Sequence, residues 1–577
     1  MNRIGSSGGA TGPEAPGQCP AFRGRHPAAL AFGTSGLRGL VTDITDLEAY
    51  INTRGFLDYL RQSGLPPGEI ICIAGDLRPS TDSPERSILR AVARGITDSG
   101  FQVDNLGRLP TPALTCYALK HKRASVMVTG SHIPFDRNGI KFNKPEGEVL
   151  KADEPGILEA VARVRRAEYS RSAAQSLMDD NGMFKKGLQP TLPPPNPHAQ
   201  REYIQRYLDF LPRDALKGTR LVLYQHSAVG RDLLLELLAN LGAQVIPAGR
   251  SETFVPIDTE AVSEEKLALL QQLTDHARHS QGPVDAVVST DGDSDRPLLA
   301  GVDSKGRVRF VSGDLLGILA AEFLDADAAV VPISVNDAVD RWAADRDVRI
   351  LKTRIGSPYV IEGMQQAQAG GAARVVGWEA NGGFLTGTDI ERKNRRLAAL
   401  PTRDAALPLL AALCSAMERG ISLVERCALL PRRYSKAGLI DNFPLETSRE
   451  LLRHFTPGDD RVREAEFAAG EIRVQHDGVD SRPAKPNIEG HLDLVRRVLE
   501  RFFNPGDGFD RVVRINWLDG VRVYFANGDI AHIRPSGNAP QLRIYAVADT
   551  QARADAIVSS AASGPDPILR RMETSVS

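Results

Sequence analysis

Short apolar segments, each with the length of a buried strand, alternate with amphipathic helical segments along most of this chain. Ile70–Ala74 and Ser125–Val128 are two such strands, and between them Ile88, Val92 and Ile96 give a helix one apolar face. This alternation is typical of layered α/β domains, in which helices cover sheets that contain parallel strands. A single hydrophobic core stops growing at about 250–300 residues, so the 577 residues predict several such domains.

The ends of some elements can also be predicted. The helix that follows Ile70–Ala74 is predicted to begin at Pro84 with Ser83 as its N-cap, because both residue types favour those positions. The turn Asn527-Gly528 between two apolar runs predicts a β-hairpin. Further strands are predicted at Arg220–Tyr224, Asp285–Val288, Val521–Phe525 and Ile530–Ile533, and further helices at Arg201–Phe210 and Asp232–Leu241.

A proline-rich stretch from Pro190 to Pro197 interrupts the pattern, because such a run is stiff and cannot hold regular hydrogen-bonded structure. The polar stretch 440–490 shows no readable pattern. The predicted organisation is a flexible tail at 1–26, α/β domains at 27–187, 201–311 and 312–430, a linker at 188–200 and a C-terminal domain at 431–577.

Charge and cysteine usage exclude several classes of protein. The formal net charge is −1, from 71 basic and 72 acidic residues, which argues against broad attraction to nucleic acid or an anionic membrane. The five cysteines are scattered without a C-x-x-C pair, so a zinc site or a disulfide framework is not expected. No run approaches the roughly 18 apolar residues of a membrane helix. We therefore expect a cytoplasmic protein, with monomer and dimer both open.

The first chemically informative cluster is Thr129-Gly130-Ser131-His132-Ile133-Pro134, which follows a predicted strand and precedes Asn138-Gly139-Ile140-Lys141. A serine on a glycine-containing turn after a strand is exposed and can act as a nucleophile. The hydrolase elbow G-x-S-x-G is excluded, because Thr129 and Ile133 stand where its glycines would be. On its own, the serine is more simply a turn residue.

The second cluster is Asp291-Gly292-Asp293-Ser294-Asp295-Arg296, again after a predicted strand. Three carboxylates at alternate positions of a loop can converge on a hard cation. A calcium-binding EF-hand is excluded, because Arg296 and Val302 occupy the positions of its glycine and its last glutamate. Magnesium fits phosphoryl chemistry, since it neutralises charge on the transferred group. The alternative is a solvated acidic turn.

Two further clusters carry weaker signals. The third cluster is Gly377-Trp378-Glu379-Ala380-Asn381-Gly382-Gly383. Its glycines let the backbone come close to a ligand, and its carboxylate can accept hydrogen bonds from sugar hydroxyls. A plain tight turn would have the same composition. The fourth cluster is Arg534-Pro535-Ser536-Gly537-Asn538-Ala539-Pro540, with Arg543 beyond it. It offers the hydrogen-bond donors that a phosphate dianion needs. A structural turn after the hairpin is the competing interpretation.

Together and in this order, the clusters resemble those of the α-D-phosphohexomutases, the phosphoglucomutase and phosphomannomutase superfamily. Gly33-Thr34-Ser35-Gly36-Leu37-Arg38-Gly39 is similar to the opening motif of that family. The resemblance runs from about residue 33 to residue 545. It implies three similar α/β domains with mixed, largely parallel sheets, and a smaller α+β C-terminal domain, around a central cleft.

The resemblance also implies an activity and a set of site residues. The activity would be interconversion of hexose 1-phosphate and hexose 6-phosphate, through a phosphoserine and a bound hexose 1,6-bisphosphate. Ser131 would be the phosphoserine, Asp291, Asp293 and Asp295 would hold Mg²⁺ together with its phosphate, and Arg38 and Lys141 would assist proton transfer beside His132. The implied substrate-binding residues are Arg296, Gly356, Glu379, Asn381, Arg534, Ser536, Gly537, Asn538 and Arg543.

The chain departs from the family pattern at three loops. Ile133 replaces the usual asparagine, Asn381 and Gly383 replace a serine and a histidine of the sugar loop, and Asn538-Ala539 stands where Thr-Glu is common. The histidine can transfer protons in relatives, so its loss bears on the acid/base assignment. The sugar loop resembles that of bacterial phosphomannomutases, which favours mannose over glucose by resemblance alone.

Two other functions remain as alternatives. A phosphatase similar to the haloacid dehalogenases would use Asp291 as its nucleophile, but it would leave the Ser131 and Arg534 loops without a role. A non-catalytic sugar-phosphate sensor would need neither Ser131 nor three aspartates. In each case the partner is a small sugar phosphate, and neither nucleic acid nor a membrane is expected.

Overall fold

The computed structural model describes residues 21–26, 30–33, 36–468, 471–476, 479–535, 540–564 and 566–576. Within these residues the strands form four larger sheets and one separate pair of short strands. We call the sheets, with the helices that pack on them, the first to fourth units.

The first unit has a mixed sheet in the order β1-β2-β6-β5-β3-β4, with β7 beside β6. Its strands are β1 (Ala31–Phe32), β2 (Leu37–Leu40), β3 (Ile70–Gly75), β4 (Gln102–Arg108), β5 (Ser125–Val128), β6 (Arg137–Lys144) and β7 (Gly147–Glu148). Its helices are α1 (Asp46–Gln62), α2 (Ile88–Asp98), α3 (Thr111–Lys120) and α4 (Glu154–Tyr169). The strands β4, β3 and β5 are parallel, and the remaining pairs are antiparallel.

The second unit follows the proline-rich stretch and has the sheet order β12-β11-β10-β8-β9. Its elements are α5 (His198–Phe210), β8 (Arg220–His226), α6 (Arg231–Asn240), β9 (Gln244–Arg250), α7 (Glu264–Gln281), β10 (Ala286–Thr290), β11 (Pro297–Val302) and β12 (Val308–Val311). The strands β9, β8 and β10 are parallel, and β11 and β12 extend the sheet in antiparallel fashion.

The third unit repeats this arrangement with the sheet order β14-β13-β15-β16-β19. It contains α8 (Gly313–Phe323), β13 (Ala328–Pro332), α9 (Ala338–Ala344), β14 (Arg349–Thr353), α10 (Ser357–Ala369), β15 (Val375–Trp378), β16 (Phe384–Thr386), the short pair β17 (Ile390–Arg392) and β18 (Arg395–Leu397), β19 (Leu400–Asp404), α11 (Ala406–Arg419) and α12 (Leu423–Ala428). Here β14, β13 and β15 are parallel.

The fourth unit is built on an antiparallel sheet in the order β20-β27-β26-β25-β24-β21-β22-β23. It contains β20 (Tyr434–Asp441), α13 (Leu445–Arg453), β21 (Val462–Ala468), β22 (Glu471–His476), β23 (Val479–Pro483), α14 (Pro486–Phe502), β24 (Val512–Asn516), β25 (Val521–Phe525), β26 (Ile530–Pro535), β27 (Gln541–Ala548), α15 (Gln551–Ala562) and α16 (Ile568–Val576). The stretch 440–490, which the sequence left unread, supplies α13 and the strands β21 to β23.

The predicted fold class, mixed α/β units followed by an α+β unit, is confirmed. The strand at Ser125–Val128 and the hairpin after Val521 also form as predicted. The predicted start of α2 is wrong, because Ser83 and Arg86 close a turn through the hydrogen bond from Ser83 N to Arg86 O, at 2.7 Å. The helix begins at Ile88, and its N-cap is Ser87, whose Oγ accepts from the backbone of Arg90.

One continuous apolar core joins the first three units. It includes Met127 of β5, Val288 of β10 and Val331 of β13, all fully buried. The fourth unit has a core of its own. Because the core fixes the three sheets against one another, loops at the carboxyl ends of their parallel strands can meet at one cleft. Among the described residues, no helix combines the length and apolar character needed to cross a membrane.

Candidate active site

The same strand position carries a predicted site residue in each of the first three units. Ser131 follows the parallel strand β5, Asp291 follows β10 and Glu379 follows β15. In each unit the next strand pairs antiparallel with the strand before it, so the intervening loop turns back at the sheet edge. The structure brings these loops together with the end of the hairpin β26–β27 around a cavity of about 220 Å³.

Ser131 is fully buried beside this cleft, which its neighbour His132 lines, so the expectation of an exposed serine is wrong. Its Oγ donates a 2.7 Å hydrogen bond to Oδ2 of Asp291, and its backbone N–H donates to Oγ1 of Thr129 at 2.8 Å. Its φ of +55° lies in the left-handed region, which costs about 1 kcal/mol or more for a residue other than glycine. The loop must therefore be held by its surroundings.

A buried ion pair between Asp76 and Arg78 holds the loop. Asp76 Oδ2 accepts from Oγ1 of Thr129, and Arg78 Nη2 donates to the carbonyl oxygens of Ser131 at 3.0 Å and of Ile133 at 2.5 Å. Both charged side chains are fully buried. Sequence reasoning missed this pair, although the motif Asp76-Leu77-Arg78 directly after the buried strand β3 was a signal that could have found it.

The three aspartates of the second cluster converge as the spacing predicted. Asp291, Asp293 and Asp295 are fully buried, and one carboxylate oxygen of each lies within 4.8 Å of the others. Two oxygens, Oδ1 of Asp293 and Oδ1 of Asp295, accept no hydrogen bond within the described residues. Buried carboxylate oxygens without donors are unfavourable unless a cation or water meets them, so this set fits a hard divalent cation.

Lys141 on β6 and Thr111 on α3 complete the acidic pocket. Lys141 Nζ donates to Oδ2 of Asp293 at 2.7 Å and to Oδ2 of Asp295 at 2.8 Å, and Oγ1 of Thr111 donates to Oδ2 of Asp293 at 2.6 Å. Burial alone would lower the pKa of Lys141, but the two carboxylates outweigh it and the pKa is raised. Lys141 is therefore protonated at neutral pH.

The aspartates differ in their electrostatic environment. Burial raises the pKa of Asp291, and the charges of Asp293 and Asp295 raise it further. Burial also acts to raise the pKa of Asp295, yet Arg403, Lys141 and Arg296 hold it well below its usual range. A cation bound among the three would relieve the repulsion that disfavours ionised Asp291.

His132 and Arg296 form a pair beside the serine. Arg296 Nη1 donates to Nδ1 of His132 at 2.8 Å, and the same ring nitrogen lies 3.4 Å from Oγ of Ser131. The charge of Arg296, followed by burial, lowers the pKa of His132 to about 2, so its imidazole is neutral. Arg38 on β2 lines the same cleft, and burial, with the charges of Arg296 and Arg403, lowers its pKa to about 10.

Glu379 is held by a residue that sequence reasoning missed. Arg403 on β19 donates from Nη1 to Oε2 of Glu379 at 3.0 Å, and from Nε and Nη2 to Oδ2 of Asp295 at 3.1 and 2.8 Å. A Cβ placed on Gly383 would come within 2.6 Å of the Arg403 side chain. The Arg403 stem thus fills the space where a side chain at position 383 would begin.

The remaining sugar-loop positions are also at the cleft. Asn381 Oδ1 accepts from the backbone N–H of Gly383 at 3.0 Å, so this amide closes its own loop. Gly356 lines the cleft at the start of α10 and has a φ of +131°, a conformation that disfavours other residues.

The predicted phosphate site is only partly described. Arg534 on β26 and Arg543 on β27 face each other as an antiparallel pair, and both line the cleft. Arg534 Nε lies 3.5 Å from Oδ1 of Asp519. Ser536, Gly537 and Asn538 lie outside the described residues.

Comparison with known proteins gives matches along most of the chain. Three models of the phosphoglucomutase/phosphomannomutase family match it: α/β/α domain I at residues 29–168, α/β/α domain III at 312–434 and the C-terminal domain at 488–563. The chain is 38% identical over 525 residues to a phosphomannomutase of Sinorhizobium fredii strain NGR234, covering 90% of this chain and 95% of that protein. It is 35% identical over 532 residues to a phosphomannomutase of Salmonella muenchen, covering 92% and 94%.

The fold has solved counterparts as well. A phosphoglucomutase/phosphomannomutase family protein from Burkholderia thailandensis superposes with a TM-score of 0.62 at 18% identity, over 94% of this chain and 97% of that one. That likeness concerns the fold, and the sequence matches carry the assignment of family. Since the family models cover more than half of the chain and include the loops of Ser131 and Glu379, the chain belongs to the phosphoglucomutase/phosphomannomutase family.

Proposed function

We propose that this enzyme interconverts hexose 1-phosphate and hexose 6-phosphate, with mannose favoured and glucose also accepted, through a phosphoserine at Ser131. The relatives of highest identity given above are phosphomannomutases, which supports a phosphotransferase of the mutase type. The observation that carries the proposal is the buried hydrogen bond from Ser131 to Asp291, made inside a set of three aspartates that fits a divalent cation. A binding protein would need neither feature.

The proposed chemistry begins with phosphorylated Ser131. A free hydroxyl of the bound hexose phosphate attacks the phosphorus, the bond between phosphorus and Ser131 Oγ breaks, and a bond to the sugar oxygen forms. In net terms the proton of the sugar hydroxyl passes to Oγ of Ser131, which the broken bond leaves without a proton. Nδ1 of His132 lies 3.4 Å from this oxygen, so the ring can carry the proton between the two groups. Because the pKa of His132 is lowered to about 2, the ring holds that proton only transiently.

The second half of the cycle runs the same step in reverse on the other phosphate. The product of the first step is a hexose 1,6-bisphosphate, which must turn over within the cleft so that its original phosphate faces Ser131. Arg534 and Arg543 lie together on the fourth unit and can grip whichever phosphate is distant from the serine. A free hexose 1,6-bisphosphate would phosphorylate Ser131 at the start.

A magnesium ion fits Asp291, Asp293 and Asp295, because the second and third offer buried oxygens that lack donors. When bound, Mg²⁺ would neutralise charge on the transferring phosphoryl group. Lys141 also supplies positive charge at this position, since it stays protonated and donates hydrogen bonds to two of these carboxylates. Arg38 and Arg296 add positive charge on the side of the cleft beside Ser131.

The experiment that tests the proposal is ³¹P NMR of the purified protein with Mg²⁺ and a trace of hexose 1,6-bisphosphate. Mannose 1-phosphate, glucose 1-phosphate and glucosamine 1-phosphate are supplied separately. We expect conversion of mannose 1-phosphate to the 6-phosphate, with glucose slower. Release of inorganic phosphate would indicate a phosphatase, and no conversion by Ser131-phosphorylated protein would leave the sensor alternative.

A further inference from the structure

A segment of the second unit forms a wall of the cleft to which no role has been assigned. Phe254 to Glu260, which we call the wall segment, lies between β9 and α7. Phe254 is buried under the guanidinium group of Arg78, 3.9 Å from the ring centroid, which fixes the segment to the serine loop. Thr259 Oγ1 donates to the backbone oxygen of Asn381 at 2.8 Å, which fixes it to the sugar loop of the third unit.

Burial alternates along the end of this segment. Ile257 and Thr259 are buried, whereas Asp258 and Glu260 are accessible and line the cleft. The backbone N–H of Glu260 donates to Oδ1 of Asp258 at 3.0 Å, so the two acidic residues are held beside each other. The segment therefore presents two carboxylates to the space between the serine and the sugar loop.

These carboxylates differ from every other acidic group described above. Glu379 is paired with Arg403 and the aspartates contact Lys141 or Ser131, whereas Asp258 and Glu260 belong to no ion pair within the described residues. In a cleft that binds phosphate groups, free carboxylates repel the ligand and weaken binding. The repulsion is offset only if they accept hydrogen bonds from the part of the ligand that carries O–H donors.

The environment of Glu260 supports such contact. The side chain is open to the cleft, yet the protein around it desolvates the carboxylate, and this together with Asp258 raises its pKa to about 6. The charges of Arg296 and Arg543 act to lower this pKa, and the charge of Glu379 acts to raise it. A desolvated acceptor gains more from a hydrogen bond than one exposed to bulk water.

The sugar loop, which adjoins the wall segment, has few free acceptors of its own. Asn381 uses its carbonyl oxygen to close the sugar loop, and Gly383 has no side chain. Glu379 remains, with one oxygen held by Arg403. A hexose has more hydroxyl donors than this loop can satisfy, so acceptors on the adjoining wall segment would complete its binding.

We propose that Asp258 and Glu260 form a second hydroxyl-binding wall of the sugar site, beside the loop that carries Glu379, and that they determine which hexose is accepted. This inference rests on the proposed function for the kind of ligand that enters the cleft. In this arrangement the two carboxylates bind hydroxyls of the sugar ring, and the cationic groups of the cleft bind both phosphates.

The test compares the variants Glu260→Gln and Asp258→Asn with the wild type in binding calorimetry. The ligands are mannose 6-phosphate and its 2-, 3- and 4-deoxy analogues. We expect Glu260→Gln to weaken mannose 6-phosphate about tenfold, as loss of a charge-assisted hydrogen bond does, and to have less than a twofold effect on one deoxy analogue. Glu265→Gln, an exposed carboxylate on α7 away from the cleft, is the matched control and should change nothing.

The outcomes separate this inference from the proposed function. Equal weakening of all four ligands, or none, would overturn the hydroxyl contact even if the enzyme turns over normally. Selective weakening in a protein without mutase turnover would support the wall and refute the proposed activity. A wild type that binds none of the ligands would refute both.

Discussion

Oγ of Ser131 and Oδ2 of Asp291 lie 2.7 Å apart, and the hydrogen bond between them joins the first unit to the second. Each residue follows a parallel strand of its own sheet, so the bond links equivalent positions of two similar units. A phosphoryl group on Ser131 would replace the donated proton with negative charge beside three carboxylates. That arrangement would require a cation, so a phosphorylated Ser131 and the three aspartates would act as one functional element.

The first prediction concerns this serine. Ser131→Ala removes the phosphate acceptor without creating a charge, so turnover of mannose 1-phosphate should fall by about 10³-fold or more. The loss should appear in kcat, and the variant should incorporate no phosphate from labelled hexose 1,6-bisphosphate. Ser280→Ala, at an exposed position on α7, should keep wild-type kinetics. Phosphate incorporation into Ser131→Ala at Asp291 would instead support a phosphatase.

The second prediction concerns the metal. Asp293→Asn removes one of the two carboxylates that offer a buried oxygen without a donor, so the affinity for Mg²⁺ should fall at least about tenfold. Calorimetric titration with Mg²⁺ measures this directly. Chelation should abolish turnover in the wild type, and added Mg²⁺ should restore it. Unchanged Mg²⁺ affinity in Asp293→Asn, with Asp275→Asn as the control, would contradict the site.

The sequence predicted well those features that depend on neighbouring residues. The strand Ser125–Val128 and the acidic loop after β10 are continuous in sequence, so their positions follow from local patterns. The N-cap of α2 was misplaced, because the competing turn between Ser83 and Arg86 is equally local and the pattern does not decide between them.

Features made by distant residues could not be predicted in this way. Arg403 reaches Asp295 across 108 positions of sequence, and Arg78 reaches Ser131 across 53. The role of a buried arginine can be predicted only when its hydrogen-bond partners are known. Those partners belong to other loops of the fold, which are distant in sequence. The sequence showed that position 383 lacks a side chain, but it did not show that the side chain of Arg403 fills the space there.

The third prediction concerns the packing of Arg403 against Gly383. Gly383→Ala places a Cβ within 2.6 Å of Cδ of Arg403, so the arginine must move away from Glu379 and Asp295. We expect kcat to fall about tenfold or more, because a small displacement of a positioned charge weakens transition-state contacts. The control is Gly490→Ala on α14, at a position where an added Cβ meets no atom within 4 Å and where φ, as at Gly383, is not positive.

The fourth prediction concerns acid stability. Burial lowers the pKa of His226 to about 4 and that of His532 to about 3, against 6.5 in an unfolded chain. The unfolded state therefore binds more protons below pH 6.5, and stability is lost as the pH falls from 6.5 toward these values. Each histidine contributes a slope of up to about 1.4 kcal/mol per pH unit to the free energy of unfolding.

Urea unfolding of the wild type and of His226→Asn between pH 4.5 and 7.5 measures this slope. The variant should be less stable at pH 7.5, because the hydrogen bond to the oxygen of Thr290 changes, but its stability should depend less on pH. His279→Asn, on the exposed face of α7, should keep the wild-type slope. Parallel curves for the wild type and His226→Asn would contradict a buried neutral imidazole.

The last prediction concerns the support beneath the serine loop. Arg78→Met leaves Asp76 buried without its partner and frees the carbonyl oxygens of Ser131 and Ile133, so the variant should lose about 3–5 kcal/mol of stability. Arg78→Lys keeps the charge but not the fork of donors, and it should remain folded with kcat reduced and KM little changed. Thermal unfolding and steady-state kinetics measure both, and Arg90→Met on the surface of α2 is the control. If Arg78→Lys retained full kcat, the left-handed conformation of Ser131 would have to be held by Asp76 and Thr129 alone.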